Sequence, residues 1–232
     1  MKIAGAIQAR MGSSRLPGKA LADLAGRPLL WHMMDRLRRV PGLSALVLAT
    51  TADPRNDPIV ALARQEGYSV VREKAEDDLA RRFARVLDET GADAVLKTGA
   101  DCPLIDPDVL AGMKDRFVEE GDADFVSNRM NWSFPLGLSA DVVSARAIRW
   151  SDANFTSPED REFFAIRIHD NPARWKVVPY VNPVNLSHHS WLVDTPDDLA
   201  AVRPIFDALY RAGQCFGMHD VIAFLKERES QA

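Results

Sequence analysis

The segment Ile7–Lys19, which reads IQARMGSSRLPGK, concentrates residues that bind anions. It supplies three cations, two hydroxyl groups and two glycines, namely Arg10, Gly12, Ser13, Ser14, Arg15, Gly18 and Lys19. Guanidinium groups bind phosphate oxygens through paired hydrogen bonds, and glycines let backbone N–H groups turn toward a bound anion. The loop therefore predicts a polyphosphate site, such as a site for a nucleoside triphosphate. The alternative is a solvated basic turn in which glycine and proline only change the chain direction.

Two familiar phosphate-binding motifs do not account for this loop. A Walker A motif places four residues between its glycines and a hydroxyl residue after its lysine. Here five residues separate Gly12 from Gly18, and Ala20 follows Lys19. The G-x-G-x-x-G fingerprint of dinucleotide sites is also absent from the loop. The prediction of an anion site therefore rests on the chemistry of the side chains and not on a motif.

Two aspartates far along the chain follow apolar runs and could bind a metal that accompanies a nucleotide. Asp101 follows the run at 94–97, and Asp194 follows Trp191–Val193. Magnesium commonly binds one or two carboxylates together with phosphate oxygens and water. The alternatives are structural: Asp101 could be a turn residue, and Asp194 or Thr195 could cap the next helix.

The elements that must position these residues alternate regularly in the first half of the chain. Short apolar runs predict strands at 2–7, 46–49, 68–71, 94–97 and 124–127. Amphipathic stretches predict helices at 28–39, 57–66, 77–89 and 106–120. This order predicts an α/β protein with a mostly parallel sheet and helices on both faces. Because ligands bind beyond the carboxyl ends of such strands, the loops at 8–19 and 98–106 should meet there.

The pattern is less regular after Asn128. We expect a loop at 129–141, a helix at 157–170, strands at 175–180 and 190–193, and helices at 197–211 and 219–228. No repeat, low-complexity segment or linker divides the sequence. The 232 residues therefore predict one domain, 1–232, within which 129–185 forms an inserted lid or dimerisation arm.

Composition and charge argue against several classes of protein. The hydrophobic fraction of 47% and charged fraction of 27% are typical of a soluble globular protein. A net charge of −4 does not favour a nucleic-acid partner, and two cysteines are too few for a disulfide scaffold. No apolar run approaches the roughly 20 residues that a membrane span needs, and no signal-peptide pattern opens the sequence. We expect a cytoplasmic protein without a nucleic-acid or membrane partner.

The stretch QARMGSSRLPGKAL resembles the opening of the cytidylyltransferases that make CMP-activated sugar acids, and it is nearest to their spore-coat polysaccharide (SpsF-like) branch. The resemblance continues in order with GADCPLIDP at 99–107, SN at 127–128, FPLGLSADV at 134–142, PEDRE at 158–162 and LSHHSWLVDTPDDL at 186–199. It covers nearly the full length. It implies a three-layer α/β/α, Rossmann-like fold of the nucleotide-diphospho-sugar transferase type.

The same resemblance implies an activity and a set of site residues. The activity is a magnesium-dependent transfer of CMP from CTP to a hydroxyl of a small acidic acceptor, which releases pyrophosphate during activated-sugar or polysaccharide biosynthesis. Arg10 and Lys19 would hold the leaving phosphates, while Asp101 and Asp194 would bind Mg²⁺; Asp194 could instead act as the base. The implied nucleotide-binding residues are Gln8, Ala9, Arg10, Gly12, Ser13, Arg15, Lys19, Thr50 and Arg82. The resemblance also implies a homodimer built through 129–185.

The sequence departs from the family pattern mainly on the acceptor side. Leu136 and Ser139 stand where relatives tend to have aspartates, and Phe163 stands where they have histidine. Near the nucleotide, Arg81 replaces an aspartate; for Arg81 and Arg82 the alternative role is a solvated helix face. Because unpaired polar groups in a pocket reject ligands strongly, we expect an acceptor other than the usual sugar acid of close relatives.

Two other classes of function are compatible with the sequence. One is a nucleotidyltransferase or glycosyltransferase that uses another nucleotide, and the other is a non-catalytic scaffold that keeps the nucleotide site. A cluster of cations for leaving phosphates argues against a glycosyltransferase, because that reaction has no free pyrophosphate to hold.

Overall fold

Seven strands form one sheet within residues 1–231, the part of the chain that this computed structural model describes. The strands in chain order are β1 (Ile3–Gln8), β2 (Asp23–Leu24), β3 (Arg27–Pro28), β4 (Ala45–Thr51), β5 (Ser69–Glu73), β6 (Ala94–Gly99), β7 (Phe125–Ser127), β8 (Ala140–Ser144) and β9 (Val177–Pro179). The helices are α1 (Leu29–Arg38), α2 (Asp57–Gln65), α3 (Leu79–Thr90), α4 (Pro107–Glu120), α5 (Ala145–Asn154), α6 (Pro158–Glu162), α7 (Phe164–His169), α8 (Pro196–Leu209) and α9 (Met218–Gln231). None of the helices in 1–231 is both long and apolar enough to cross a membrane.

The sheet has the strand order β5-β4-β1-β6-β8-β7-β9, while β2 and β3 form a separate small hairpin. Neighbouring strands run parallel except at β8, which is antiparallel to both β6 and β7. The central strands β1 and β6 are therefore adjacent and parallel, so their carboxyl ends lie side by side. The mostly parallel sheet expected from the sequence is confirmed.

Helices cover both faces because the central strands are apolar on both sides. In β1, Ile3 and Ile7 face the layer that contains α1, α2, α4, α8 and α9, whereas Ala4 and Ala6 face the layer of α3, α5 and α7. Strands buried on both faces are typical of parallel sheets. The apolar face of α3 packs under the Ala4–Ala6 face, and this helix carries part of the candidate site at its first turn.

The second half of the chain differs from the sequence-based expectation in three places. The expected loop at 129–141 includes the start of β8, and α5 follows β8 directly. The expected helix at 157–170 is two short helices, α6 and α7. The expected strand at 190–193 is wrong: this extended segment forms one isolated bridge, between Ser190 and Leu136.

The segment 129–185, which we expected to form a lid or dimerisation arm, contributes to the sheet itself. Its strand β8 pairs with β6 and β7, and β9 pairs with β7. Helix α5 of the same segment packs against α3. The segment is thus part of the central architecture, and its role in dimerisation stays a prediction.

Candidate active site

An open cleft of about 260 Å³ lies at the carboxyl ends of β1 and β6. The residues that line it come from the loop after β1, from the start of α3, from the end of β6 and from two later positions: Gln8, Ala9, Arg10, Ser13, Ser14, Arg15, Lys19, Ala20, Glu76, Leu79, Arg82, Gly99, Ala100, Asp101, Glu162 and Asp194. The structure therefore brings together the first loop, Asp101 and Asp194, although the sequence separates them widely. Two predicted nucleotide-binding residues, Gly12 and Thr50, are not among the lining residues.

Lys19 connects the two aspartates. Its Nζ lies 3.1 Å from Oδ1 of Asp194 and 3.7 Å from Oδ2 of Asp101, and it donates a hydrogen bond of 3.0 Å to the Val193 carbonyl. Gly18 precedes it with φ of 74°, a left-handed conformation that favours glycine. This conformation turns the chain into the short helical turn Lys19–Leu21 and directs Lys19 toward the aspartates.

Asp101 lies just past β6, where Gly99 leaves room for its carboxylate. A Cβ atom at position 99 would lie only 2.5 Å from Oδ1 of Asp101. The neighbouring Cys102 is buried, and this burial raises the pKa of its thiol, as does Asp101 beside it. A buried thiol that stays protonated is not a nucleophile, so the functional group of this turn is the aspartate.

Asp194 reaches the cleft because other groups begin the helix after it. Thr195 is the N-cap of α8, and its hydroxyl accepts a hydrogen bond from the backbone N–H of Asp198. The Asp198 side chain in turn accepts a bond from the Thr195 backbone N–H. The carboxylate of Asp194 is therefore free of the capping role and pairs with Arg15 and Lys19. This arrangement assigns to Thr195 the capping role that the sequence left open.

Arg10 lies in the cleft but pairs with a different acidic segment. Its Nη1 is 2.6 Å from Oε1 of Glu76 and 3.6 Å from Oδ1 of Asp77. Both partners are partly exposed, so the pair is screened by solvent and is exchangeable. Arg10 thus links the first loop to the segment before α3, and a bound phosphate would compete with Glu76 for it.

Arg82 is a buried cation without a carboxylate partner within residues 1–231. Its Nη2 donates to the backbone carbonyls of Ala75 and Glu76 at 3.3 and 2.5 Å, while its Nε has no hydrogen-bond partner. Burial lowers the pKa of this guanidinium, and the positive charge of Arg10 lowers it further. Arg82 lines the cleft, while its unpaired Nε is shielded from solvent. The adjacent Arg81 instead lies on the exposed face of α3 and pairs with Asp152 at 3.0 Å.

Thr50 and Gly12 are the two predicted nucleotide-binding residues that do not line the cleft. Thr50 lies inside β4, where its side chain is fully buried and its Oγ1 lacks a hydrogen-bond partner in the described chain. Gly12 lies beside the cleft, since a Cβ at this position would be 3.5 Å from Oε1 of Glu76. The departures noted on the acceptor side, Leu136, Ser139 and Phe163, do not line the cleft either.

A buried ionic network connects the neighbouring strands β6, β8 and β7. Asp141 on β8 pairs with Lys97 and Arg129, each at 2.9 Å, and accepts a hydrogen bond of 2.7 Å from Ser127. Burial alone would raise the pKa of Asp141, but Lys97, Arg129 and the hydrogen bonds lower it to about 2. This carboxylate remains ionised and holds β6, β7 and β8 together.

The cleft also contains residues that the sequence analysis did not assign. Glu76, Leu79 and Glu162 are among its lining residues. The motifs EDDLARRF and PEDRE contain these residues, but no spacing rule in either motif indicates which acidic side chain points into a cleft.

The two aspartates fit the coordination chemistry of magnesium. Each carboxylate has an oxygen within 3.7 Å of the same Lys19 ammonium group, so both lie in the same part of the cleft. Within 1–231 no group of three or more His, Cys, Asp or Glu side chains forms a complete protein cage for a metal. Two carboxylates that share their ion with phosphate oxygens and water are a common arrangement for magnesium.

Comparison with known proteins shows similarity to cytidylyltransferases. The cytidylyltransferase family model matches residues 4–141. A spore coat polysaccharide biosynthesis protein of Bacillus subtilis is 27% identical over 86% of this chain and 84% of its own length. A 3-deoxy-manno-octulosonate cytidylyltransferase of an Anaeromyxobacter species is 36% identical over 47% of this chain and 44% of its own length.

A solved cytidylyltransferase from Leptospira borgpetersenii superposes with a TM-score of 0.92 at 27% identity, covering 99% of this chain and 96% of that one. The likeness extends over the whole architecture, including the second half, where the sequence-based expectation of the elements was weakest. The Rossmann-like fold of the nucleotidyltransferases, expected from the resemblance, is confirmed.

Proposed function

Since the chain belongs to the cytidylyltransferase family, we propose that it transfers CMP from CTP to a hydroxyl of a small acidic acceptor and releases pyrophosphate. The observation that carries this proposal is the meeting of Lys19 with Asp101 and Asp194 in one cleft. A nucleoside triphosphate needs a cation that binds its phosphates and carboxylates that bind its divalent ion. The cleft contains both kinds of group.

In the proposed reaction, an oxygen of the acceptor bonds to the α-phosphorus of CTP. The bond between that phosphorus and the oxygen that bridges to the β-phosphate breaks, so pyrophosphate leaves with this oxygen and the electron pair of the bond. The hydroxyl proton of the acceptor passes to Asp194 or to water. Arg10 and Lys19 bind the phosphates that depart, and Arg15 and Ser13 assist them. Such transfers depend mainly on positioning and on charge stabilisation, which these cations supply.

Asp101 and Asp194 are the proposed ligands of Mg²⁺. The ion, when bound, neutralises the phosphate charge and lowers the pKa of a coordinated hydroxyl. The protein holds an oxygen of each carboxylate within 3.7 Å of the Lys19 ammonium. On this proposal, phosphate replaces the carboxylates as the partner of Arg15 and Lys19 when CTP binds.

The acceptor belongs to the sugar acids or a related acidic class in this proposal. Its support is the similarity to a 3-deoxy-manno-octulosonate cytidylyltransferase and to a spore coat polysaccharide biosynthesis protein. Because CTP is a cytoplasmic metabolite, the proposal also places the reaction in the cytoplasm.

We further propose that the protein is a homodimer built through 129–185. Within residues 1–231 seven large apolar side chains are exposed, and five of them lie in this segment: Trp132, Phe163, Ile166, Val181 and Val184. Trp132 and Ile166 line one surface pocket, and exposed apolar patches are typical of an interface with another protein chain.

The experiment that tests the activity is a thermal-shift series with CTP, UTP, ATP and GTP, each with and without Mg²⁺. We expect selective stabilisation by CTP with magnesium. Pyrophosphate release from CTP is then measured with a panel of sugar acids that includes 3-deoxy-manno-octulosonate. Equal stabilisation by all four nucleotides would contradict the choice of CTP, and selective CTP binding without turnover on any acid would favour a scaffold.

A further inference from the structure

We propose that Asn56 is a positioning residue for the cationic loop after β1, because its side chain holds the base of that loop at Met11. The loop spans 12–17 and carries Ser13 and Arg15. Asn56 itself does not line the cleft. The proposal rests on the proposed binding of a triphosphate by this loop, and it adds a residue that prepares the loop for the phosphates.

Both backbone polar groups of Met11, where the loop begins, are hydrogen-bonded. The Met11 N–H donates a hydrogen bond of 2.8 Å to Oδ1 of Asn56. The Met11 carbonyl accepts a hydrogen bond of 3.3 Å from the N–H of Gly18, where the loop ends. The second bond joins the two ends of the loop, and the first attaches them to the segment before α2. The side chains at 12–17 therefore project from a fixed base.

The side chain of Asn56 has one orientation because both of its polar ends are paired. Asn56 is 2% exposed, and its Nδ2 donates a hydrogen bond of 2.6 Å to Oγ1 of Thr51, which is also buried. A backbone N–H can only donate, so the amide oxygen must face Met11 and the amide nitrogen faces Thr51. Removal of either partner would leave a buried polar group unpaired, which is costly.

The turn that carries Asn56 is anchored to the sheet. Arg72 on β5 donates hydrogen bonds to the carbonyls of Thr51 and Asp53, at 3.1 and 2.9 Å. Within the turn, the N–H of Asn56 donates to the Asp53 carbonyl at 3.0 Å. The chain between β4 and α2 is thus held in place, and Asn56 connects the loop to this anchored segment.

This connection affects the cations that are proposed to bind phosphates. Arg15 lies within the loop and Lys19 directly follows Gly18, and both pair with Asp194. A loop that is already in its binding conformation loses less conformational entropy when a triphosphate binds. Without the Asn56 side chain, only a fraction of the molecules would hold the loop in this conformation, and the apparent affinity would fall by that fraction.

The test measures the binding of CTP with Mg²⁺, and of CMP, to the wild type and to Asn56→Ala by calorimetry. CMP lacks the two phosphates that the cations of this loop are proposed to hold. We expect the Kd for CTP to rise about fivefold, because one hydrogen bond that orders the loop is lost, and the Kd for CMP to change by less than about twofold. A residue that served only the fold would affect both ligands equally.

Asn128→Ala is the matched control. Asn128 is also 2% exposed, and its amide donates to the Leu138 carbonyl at 2.7 Å and accepts from the Ala140 N–H at 3.0 Å. It does not line the cleft. This variant loses a buried amide of the same kind, so its melting temperature should fall while the ratio of the CTP and CMP dissociation constants stays at the wild-type value.

Variants of Thr51 test the proposal independently of the stability of Asn56→Ala. Thr51→Val removes the hydroxyl that orients the amide and keeps the shape, so it should also weaken CTP binding more than CMP binding. Thr51→Ser keeps the hydroxyl and should restore the wild-type ratio. Hydrogen exchange of the Met11 N–H, measured by NMR without nucleotide, should be faster in Asn56→Ala and Thr51→Val than in the wild type and Asn128→Ala.

The outcomes separate this inference from the proposed function. If the wild type binds CTP and both Asn56→Ala and Thr51→Val keep its CTP affinity, or weaken CTP and CMP equally, only this inference is overturned. Unchanged hydrogen exchange at Met11 in both variants would overturn it as well, whatever nucleotide binds. If the wild type binds no CTP, the proposed function fails, and the assignment of the loop to phosphates fails with it.

Discussion

The ammonium of Lys19 lies 3.1 Å from the carboxylate of Asp194, although 175 positions separate the two residues in the chain. The pairing shows that the cationic loop after β1 and the segment before α8 form one site. It also shows that cations of the site are paired with the site's own carboxylates. Binding of a triphosphate with a divalent ion would exchange these partners without a change in the fold.

Lys19→Met should weaken CTP binding, because methionine keeps an apolar stem but removes the charge that is proposed to bind the phosphates. The loss of one charge-assisted hydrogen bond predicts a CTP dissociation constant raised by about tenfold or more. Calorimetry with CTP and Mg²⁺ measures the change. Lys226→Met, at an exposed position on α9, is the control and should bind CTP as the wild type does. Unaltered binding by Lys19→Met would place the phosphates elsewhere.

Gly99→Ala should impair the proposed metal site while leaving the fold intact. The new Cβ would lie 2.5 Å from Oδ1 of Asp101, and the aspartate side chain can rotate away at little cost to stability. We expect an unchanged melting temperature and a smaller gain in CTP affinity when Mg²⁺ is added. The double variant Gly99→Ala/Asp101→Asn should be no worse than Asp101→Asn alone, because both changes act through one carboxylate. Additive losses would contradict this link.

Stability at low pH should depend on Asp141. Its pKa is about 2 in the folded protein and 3.8 in the reference state, so its ionised form stabilises the fold above pH 4. That contribution, about 2 kcal/mol, is lost as the pH falls from 4 to 2. Chemical denaturation at several pH values measures it as a decrease in the free energy of unfolding.

The variant Asp141→Asn is the companion test of the network. It leaves Lys97 and Arg129 without their shared counter-charge, and breaking a buried pair in this way costs about 3–5 kcal/mol at neutral pH. The variant should also lack the stability change that the wild type shows between pH 4 and 2. A variant as stable as the wild type would mean that the network does not hold β6, β7 and β8 together.

The oligomeric state can be tested at the exposed apolar residues of 129–185. We expect the wild type to sediment as a dimer and Trp132→Asp or Ile166→Asp to sediment as monomers, because a charge in an apolar interface is costly. Val118→Asp is the control, since Val118 is 48% exposed but lies outside the segment. A monomeric wild type, or dimers in both interface variants, would refute the proposed interface.

The first half of the fold was predictable because its elements carry local signals. Apolar runs alternate with amphipathic helices, and residues such as Asp78 and Gly91 mark the ends of α3. The second half was less predictable because β8 contains Asp141, and a charged residue in a sequence argues against a buried strand. The structure explains its burial, because Lys97 and Arg129 pair with it. Likewise, the apolar run at 190–193 resembles a strand, yet it extends toward the cleft with only one bridge.

The site was predictable to the extent that its residues follow strands or match a family motif. Arg10, Lys19 and Asp101 line the cleft because they follow β1 and β6, whose carboxyl ends are adjacent. Asp194 also lines the cleft, but no strand directly precedes it, and only the family motif predicted its role. The position of Glu162 was not predictable, because it depends on how α6 packs against α3. That packing is fixed by contacts of Arg161 with residues distant in the sequence.

The most direct test of the account is the effect of Mg²⁺ on CTP affinity in the wild type, Asp101→Asn and Asp194→Asn. Calorimetry measures binding without an acceptor, so it reports only on the site that the cations and the two carboxylates form. We predict that Mg²⁺ strengthens CTP binding to the wild type by about tenfold or more, a typical coupling between two ligands, and that each variant loses most of this gain while remaining folded. An equal gain from Mg²⁺ in all three proteins would contradict the assignment of Asp101 and Asp194 as the metal ligands.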